Sequence, residues 1–253
     1  MLRLRGIARD VLRRLPPARR QRWALATEVL LELAADGRPR TVLDAGCGDG
    51  LFTLDLARAL PMWSFVGLDL AEEHIVSAER ERRAQKVTNA CFARVDLTRL
   101  AVRRPVDVVL ALECLVEIPD DRAALCALAG ALRPDGTLIA HLPVWDWSPV
   151  LPGSPATWRH EARHGYDRDG LPVLLHEAGL KLRGVTPSQR GTVTVAQELR
   201  DRWKGASPVL RLLTAPFMAA AAQLDTRGVT WGPARGLLLT AKPVDAGQPS
   251  VAV

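Results

Sequence analysis

Between residues 41 and 142, five short apolar runs rich in β-formers alternate with helical stretches. That alternation restricts the chain to βαβ units built on a parallel sheet. The pattern predicts strands over 41–45, 64–69, 90–95, 106–112 and 137–142, with helices over 50–60, 71–85 and 120–132 between them. A helix over 168–178 then leads into a sixth strand at 180–187, and Gly-Leu-Leu-Leu-Thr-Ala-Lys makes a last strand of 236–242. Two helices precede the sheet, an Arg-rich amphipathic one over 2–15 that stops at Pro16 and Pro17, and a second over 18–35. The expected architecture is a three-layer α/β sandwich on a mostly parallel seven-stranded sheet. It divides into a helical cap (1–36), a core (37–191), a helical insertion or lid (192–231), the last core strand (232–243) and a flexible tail (244–253).

Composition narrows the class without naming a function. A hydrophobic share of 48% reads as a soluble globular chain. The formal charge of +6 is nearly all arginine, which a GC-rich genome explains as readily as a nucleic-acid partner. Cys47, Cys91, Cys114 and Cys126 have no C-x-x-C spacing, so they are read as reduced, mostly buried thiols of a cytoplasmic protein. Met1–Arg22 lacks the apolar core of a secretion signal, and the apolar region 206–224 is broken by Arg211 and Pro216.

The chemistry concentrates at one turn. Thr-Val-Leu-Asp-Ala-Gly-Cys-Gly-Asp-Gly, residues 41–50, runs from a strand into a helix. Glycines there let the backbone turn tightly and come close to a ligand, in front of a helix N-terminus that favours an anionic group. Asp69 ends the next strand, where a carboxylate can hold ribose hydroxyls. A dinucleotide-binding domain is the rival reading. Against it, the spacing is G-x-G-x-G rather than G-x-G-x-x-G, and Asp44 before the glycines would repel a pyrophosphate.

Residues 42–50 are similar to the first motif of the class I S-adenosylmethionine (SAM) dependent methyltransferases. Leu68-Asp69-Leu70 resembles their second motif, Arg94-Val95-Asp96-Leu97 their third, and residues 132–138 the turn before their fifth strand. The resemblance spans about 40–142, with the motifs in the family's order, and implies a Rossmann-like fold. By it, Asp44, Gly46, Cys47 and Gly48 surround the methionine part of SAM. Asp69 binds the ribose, Leu70 packs on the adenine, Asp96 and Leu97 hold its edge, and Leu112 and Glu113 line the cofactor on its substrate side.

The stretch 111–121 lacks the Asn/Asp-Pro-Pro-aromatic motif of enzymes that methylate base amines, so DNA is not expected as a partner. Cys114 follows Glu113 and not a proline, so it reads as a small buried side chain and not as an RNA cytosine nucleophile. The same stretch resembles the ubiquinone-biosynthesis O-methyltransferases, whose Glu-x-x-Glu-His pattern can hold a divalent metal. Here Val116 and Glu117 replace its second half, so no metal is predicted. Glu117 is then either a general base or a solvated helix-cap acid. The loop 143–167 adds candidates. His160 or His164 is read as the base, and His141, Trp145, Trp147 and Tyr166 as the substrate wall, against packing roles for the same rings.

The predicted activity is methyl transfer from SAM, with S-adenosylhomocysteine (SAH) as product. The acceptor is small or lipid-like and takes the methyl group on a hydroxyl oxygen, in a biosynthetic pathway. An RNA methyltransferase and a non-catalytic SAM-binding module remain the rivals. The Arg-rich first helix is read either as a solvated basic face or as a peripheral contact with the inner membrane face, an acidic partner or a second lid.

Overall fold

The computed structural model describes residues 16–154, 162–202 and 231–244. The helix expected over 2–15, most of the insertion and the tail lie outside the described residues, as do Trp158, His160 and Glu161.

The first described helix, α1 (Pro17–Leu33), begins with proline in its first turn, where the missing N–H costs nothing. A 3₁₀ turn follows, and Gly37 in the left-handed region closes it at φ 72°. The strands are β1 (Thr41–Ala45), β2 (Ser64–Asp69), β3 (Ala90–Arg94), β4 (Val106–Leu112), β5 (Leu132–Pro143), β6 (Leu180–Ser188) and β7 (Gly236–Pro243). Between them run α2 (Leu51–Ala59), α3 (Glu72–Ala84), α4 (Asp121–Gly130), α5 (Leu171–Glu177) and α6 (Gly191–Arg202).

The seven strands form one sheet in the order β3-β2-β1-β4-β5-β7-β6. All pair in parallel except β7, which is antiparallel to both neighbours. Alternate residues of each strand point to opposite faces. Val42, Val108, Leu110, Ile139 and Leu238 pack with Ala26 and Leu30 of α1 and with Phe52 and Leu56 of α2. Leu43, Val109, Leu138, Ala140 and Leu239 face the other way, against Leu125 and Leu128 of α4 and Leu171 and Leu175 of α5. Both faces are therefore covered, and the molecule is the expected three-layer sandwich.

Some expectations shift. Residues 132–136, read as a turn, extend β5 backwards: Val106 pairs Leu132 and Val108 pairs Thr137, so the intervening residues bulge out. The helix expected over 168–178 shortens to Leu171–Glu177, between Gly170 and Gly179. Helix α6, where the insertion is expected to begin, packs on α1, with Gln197 accepting from the Ala18 N–H. Cys91 and Cys126 are exposed rather than buried, the former on edge strand β3 and the latter on α4 outside its buried Leu125 and Leu128.

The sheet order also places the site. The chain moves outward from β1 through β2 to β3, then crosses to β4 on the other side of β1. The reversal opens a crevice at the carboxyl ends of β1 and β4, where such sheets bind ligands.

Candidate cofactor site and the buried network behind it

Each strand tip around that crevice carries one of the predicted residues. After β1, Gly46 and Gly48 turn through positive φ values of 68° and 56°. At Gly46 a Cβ would sit 2.4 Å from the Cβ of Cys114, so the loop after β1 and the tip of β4 touch through a missing side chain. At Gly48 a Cβ would meet nothing within 4 Å, which leaves open space in front of the loop backbone. Cys47 turns inward, its thiol half-buried and its pKa raised chiefly by burial.

Asp44 lies beneath this loop, buried, and accepts a 2.5 Å hydrogen bond from the Thr53 hydroxyl of α2. Burial pushes its carboxyl up to about 6. The Thr53 bond opposes that shift and the nearby Asp69 charge adds to it. A cationic ligand group next to Asp44 would favour its ionised form.

At the tip of β2, Asp69 accepts from the N–H groups of Gly48 (2.8 Å) and Ala71 (2.9 Å) and lies 3.3 Å from His74 Nδ1. Its carboxylate thus ties the glycine loop to β2 and keeps lone pairs for further donors. Leu70, next in sequence, is 61% exposed. Arg94 donates to the Leu70 carbonyl and holds that turn in place. Asp96, after β3, is exposed and accepts from the backbone N–H and hydroxyl of Thr98 through one oxygen, Oδ1. These bonds hold its pKa down. The Leu97 side chain enters the core beside Leu125 and Leu128.

The tip of β4 departs most from expectation. Glu113 adopts φ 73°, a strained region for a non-glycine residue. Its Oε1 lies 2.5 Å from His141 Nδ1 and its Oε2 lies 3.5 Å from Arg22 of α1. The other ring nitrogen of His141 lies 2.6 Å from the Ser188 hydroxyl. Burial raises the Glu113 carboxyl, but Arg22 and His141 outweigh it and hold the group at about 2. Burial lowers the His141 pKa. The charge pattern that follows is an ionised Glu113 accepting from Nδ1–H of a neutral His141, whose Nε2 accepts from Ser188. Gly236 makes room, since a Cβ there would lie 2.5 Å from the imidazole Cε1.

His141 was expected on the substrate wall. It is instead fully buried with both nitrogens engaged, because alternation on β5 turns it toward the α1 face beside Ile139. Trp147 and Tyr166 are likewise core residues, at 5% and 6% exposure. The Arg235 guanidinium stacks 3.6 Å above the Trp147 ring and pairs with buried Glu198, which also accepts from the Val150 and Leu151 N–H groups. The loop after β5 is therefore pinned to α6 by a buried ion pair. Of the four expected wall residues only Trp145 is exposed. His164 stacks on Trp147 at 6.0 Å, and its buried Nδ1 has no hydrogen-bond partner among the described residues. Ala162 bonds the Val116 carbonyl, which brings the His164 segment beside the short turn Leu115–Glu117, where Glu117 is exposed. No group of three or more potential metal ligands occurs among the described residues.

Arg22, Ser188, Glu198 and Arg235 were not anticipated from sequence. Ser188 and His141 are 47 positions apart, and nothing in local pattern links a helix arginine to a strand tip.

A seven-stranded sheet in this order, with a glycine loop after β1 and a carboxylate at the tip of β2, defines the fold of the class I SAM-dependent methyltransferases. Residues 42–136 match the family model of the methyltransferase domain, which together with the sheet order supports a class I SAM-dependent methyltransferase. A trans-aconitate 2-methyltransferase of Pseudomonas aeruginosa is 33% identical over 107 residues, which is 42% of this chain and 37% of that protein. The chain thus matches little more than a third of that relative's length. An O-methyltransferase from a polyketide synthase multienzyme of Brevibacillus brevis, solved with SAH, superposes with TM-score 0.60 at 15% identity, covering 86% of this chain and 71% of the other. SpnF, a [4+2]-cyclase, superposes with TM-score 0.59 at 21% identity over 87% and 82% of the two chains. One fold thus carries different reactions, and the chemistry has to be argued from the site.

Proposed function

We propose that this protein transfers a methyl group from SAM to a small or lipid-like acceptor, at a hydroxyl oxygen, in a biosynthetic pathway. The observation that carries the reading is the convergence of the tips of β1 and β2 on one open space. The Gly48 backbone faces empty volume, Asp69 bonds the Gly48 N–H, and Leu70 stands exposed beside them. A buried carboxylate, Asp44, lies under the same loop.

These residues fit the cofactor part by part. Asp44 would balance the cationic methionine end and Asp69 would accept from the ribose hydroxyls. Leu70 would cover one face of the adenine, and the free Oδ2 of Asp96 would accept from its amine. When bound, SAM supplies a methyl group on a sulfonium with a neutral leaving group. The protein has to align the acceptor oxygen, exclude water and take up the acceptor proton. His164 is the described candidate for the proton, with Glu117 nearby and His160 outside the described residues. Glu113 and His141 do not serve as bases in this reading, because their proton-accepting atoms are already bonded within the network.

The test uses SAM labelled on its methyl group, incubated with the protein and an extract of the source organism. Label recovered in small-molecule or lipid fractions is expected. Label in RNA would replace this reading with a nucleic-acid one, and SAM binding without any transfer would make the chain a binding module. With an acceptor in hand, His164→Ala should lower kcat by about 10²-fold or more while leaving SAM affinity within about twofold. An unchanged kcat would remove His164 from the mechanism.

A further inference from the structure

Arg22 has an unusual position for a helix arginine. It lies on α1, yet it reaches the tip of β4, one residue from the Cys114 that touches Gly46. Its neighbours hold it there. Trp23 stacks on Phe52 of α2 at 4.6 Å, and Gln21 accepts from the Gln189 N–H at the end of β6.

The guanidinium is nevertheless poorly satisfied. Among the described residues it pairs with Glu113 alone, at 3.5 Å, longer than a good hydrogen bond. Glu113 gives its short bond to His141 instead. The Arg22 side chain keeps 16% of its surface, so its N–H groups are largely desolvated without being sealed in the core. Arg19, one turn earlier, adds a second positive charge. With His141 neutral and Arg235 paired with Glu198, Arg22 and Arg19 are left against the single carboxylate of Glu113. Five planar donors with one long contact, next to the glycine loop, form a ready-made anion site.

We infer that Arg22 recognises an anionic oxygen group, a carboxylate or a phosphate, on the methyl acceptor. The group would sit on the free edge of the guanidinium, away from the long Glu113 contact. The acceptor class narrows to small molecules that carry an anion beside the oxygen to be methylated. This rests on the methyltransferase reading above and adds the acceptor's charge to it.

The experiment measures binding to the wild-type protein saturated with SAH, using benzoate, phenyl phosphate and benzamide as probes. At least one anion should bind about tenfold more tightly than benzamide, and the stronger of the two identifies the group. Arg22→Gln should weaken that anion about tenfold with SAH affinity unchanged, and Arg22→Lys should weaken it less. Glu113→Gln removes the competing carboxylate and should strengthen it. If neither anion binds, if benzamide binds equally well, or if Arg22→Gln leaves the anion affinity intact, the inference is overturned. Should Arg22→Gln fail to fold by circular dichroism, Glu113→Gln decides, and unchanged or weakened anion binding there overturns it too. Failure of the wild type to bind SAH at all would instead sink the cofactor reading beneath it.

Discussion

Asp44 and Glu113 are acidic residues on neighbouring strand tips, and their surroundings drive them in opposite directions. Asp44 has one hydroxyl donor and little water, so its carboxyl rises from 3.8 to about 6. The native state then holds the proton more tightly than the unfolded chain. Stability from this group is complete below about pH 4 and is lost as pH rises toward 6, on the order of 3 kcal/mol for a shift of that size. Cofactor affinity should run the other way, since only the ionised form attracts a cation. SAM binding should therefore weaken as pH falls below about 6. Asp44→Asn should stabilise the protein at pH 7 while weakening SAM by about tenfold or more, measurable by thermal unfolding and calorimetry on the same sample. A flat pH profile for SAM binding would disprove the pairing. Glu113, clamped by Arg22 and His141, stays ionised down to about pH 2, so its contribution is present above its ordinary value of 4.5 and lost only in strong acid.

Among the elements, the β1–α2 turn makes the sharpest distinction, because two of its three glycines are required for different reasons. Gly46 has a positive φ and the Cys114 Cβ within 2.4 Å of where its own would stand. Gly46→Ala should cost several kcal/mol and separate the turn from β4, and Cys114→Ala should not rescue it, since the clash is with Cβ itself. Gly48 has the same backbone strain and open space ahead. Gly48→Ala should fold with a loss of about 1–2 kcal/mol yet lose SAM binding steeply, because the added methyl points where a ligand would pass. Urea unfolding and SAM titration of the two variants separate folding from binding. Equal effects of both variants on both measurements would refute the division. The β1–α2 turn was legible in sequence because glycine spacing is local. The tip of β4 was only half legible: position 113 was placed on the cofactor side, but nothing nearby in the chain announces that its carboxylate is already taken.

At the scale of the molecule, two buried arrangements join segments far apart in the chain. One runs from α1 through β4 and β5 to β6 by way of Arg22, Glu113, His141 and Ser188. The other joins the loop after β5 to α6 and the start of β7 through Trp147, Glu198 and Arg235, the ion pair being 6% and 3% exposed. Breaking such a pair leaves a lone buried charge, so Arg235→Ala should destabilise by about 3–5 kcal/mol. Replacing Glu198 as well should recover part of that loss, as a double-mutant cycle in denaturant would show. Additive losses would mean the pair is not coupled. Leu30 of α1 is completely buried against the sheet, and Leu30→Ala should cost about 2–5 kcal/mol, whereas Val76→Ala, 62% exposed on α3, should be nearly silent.

What the sequence by itself determined follows from patterns that act over a few residues. Strand and helix periodicity specified seven strands and both covered faces. Four short motifs in order specified where Asp44, Gly46, Gly48, Asp69, Leu70 and Asp96 would stand, since each lies at a strand tip whose position follows from the βαβ winding. The loop histidines and tryptophans were misread in part because periodicity says when a side chain alternates, not which layer lies above it. His141 and Trp147 became core residues once α1 and Arg235 closed over them. The pairing of Arg22 with Glu113, the neutral state of His141 and the ion pair under the β5 loop were decided only by tertiary structure. Burial and charge depend on which distant groups share a small volume of low dielectric, and chain order carries no local record of that.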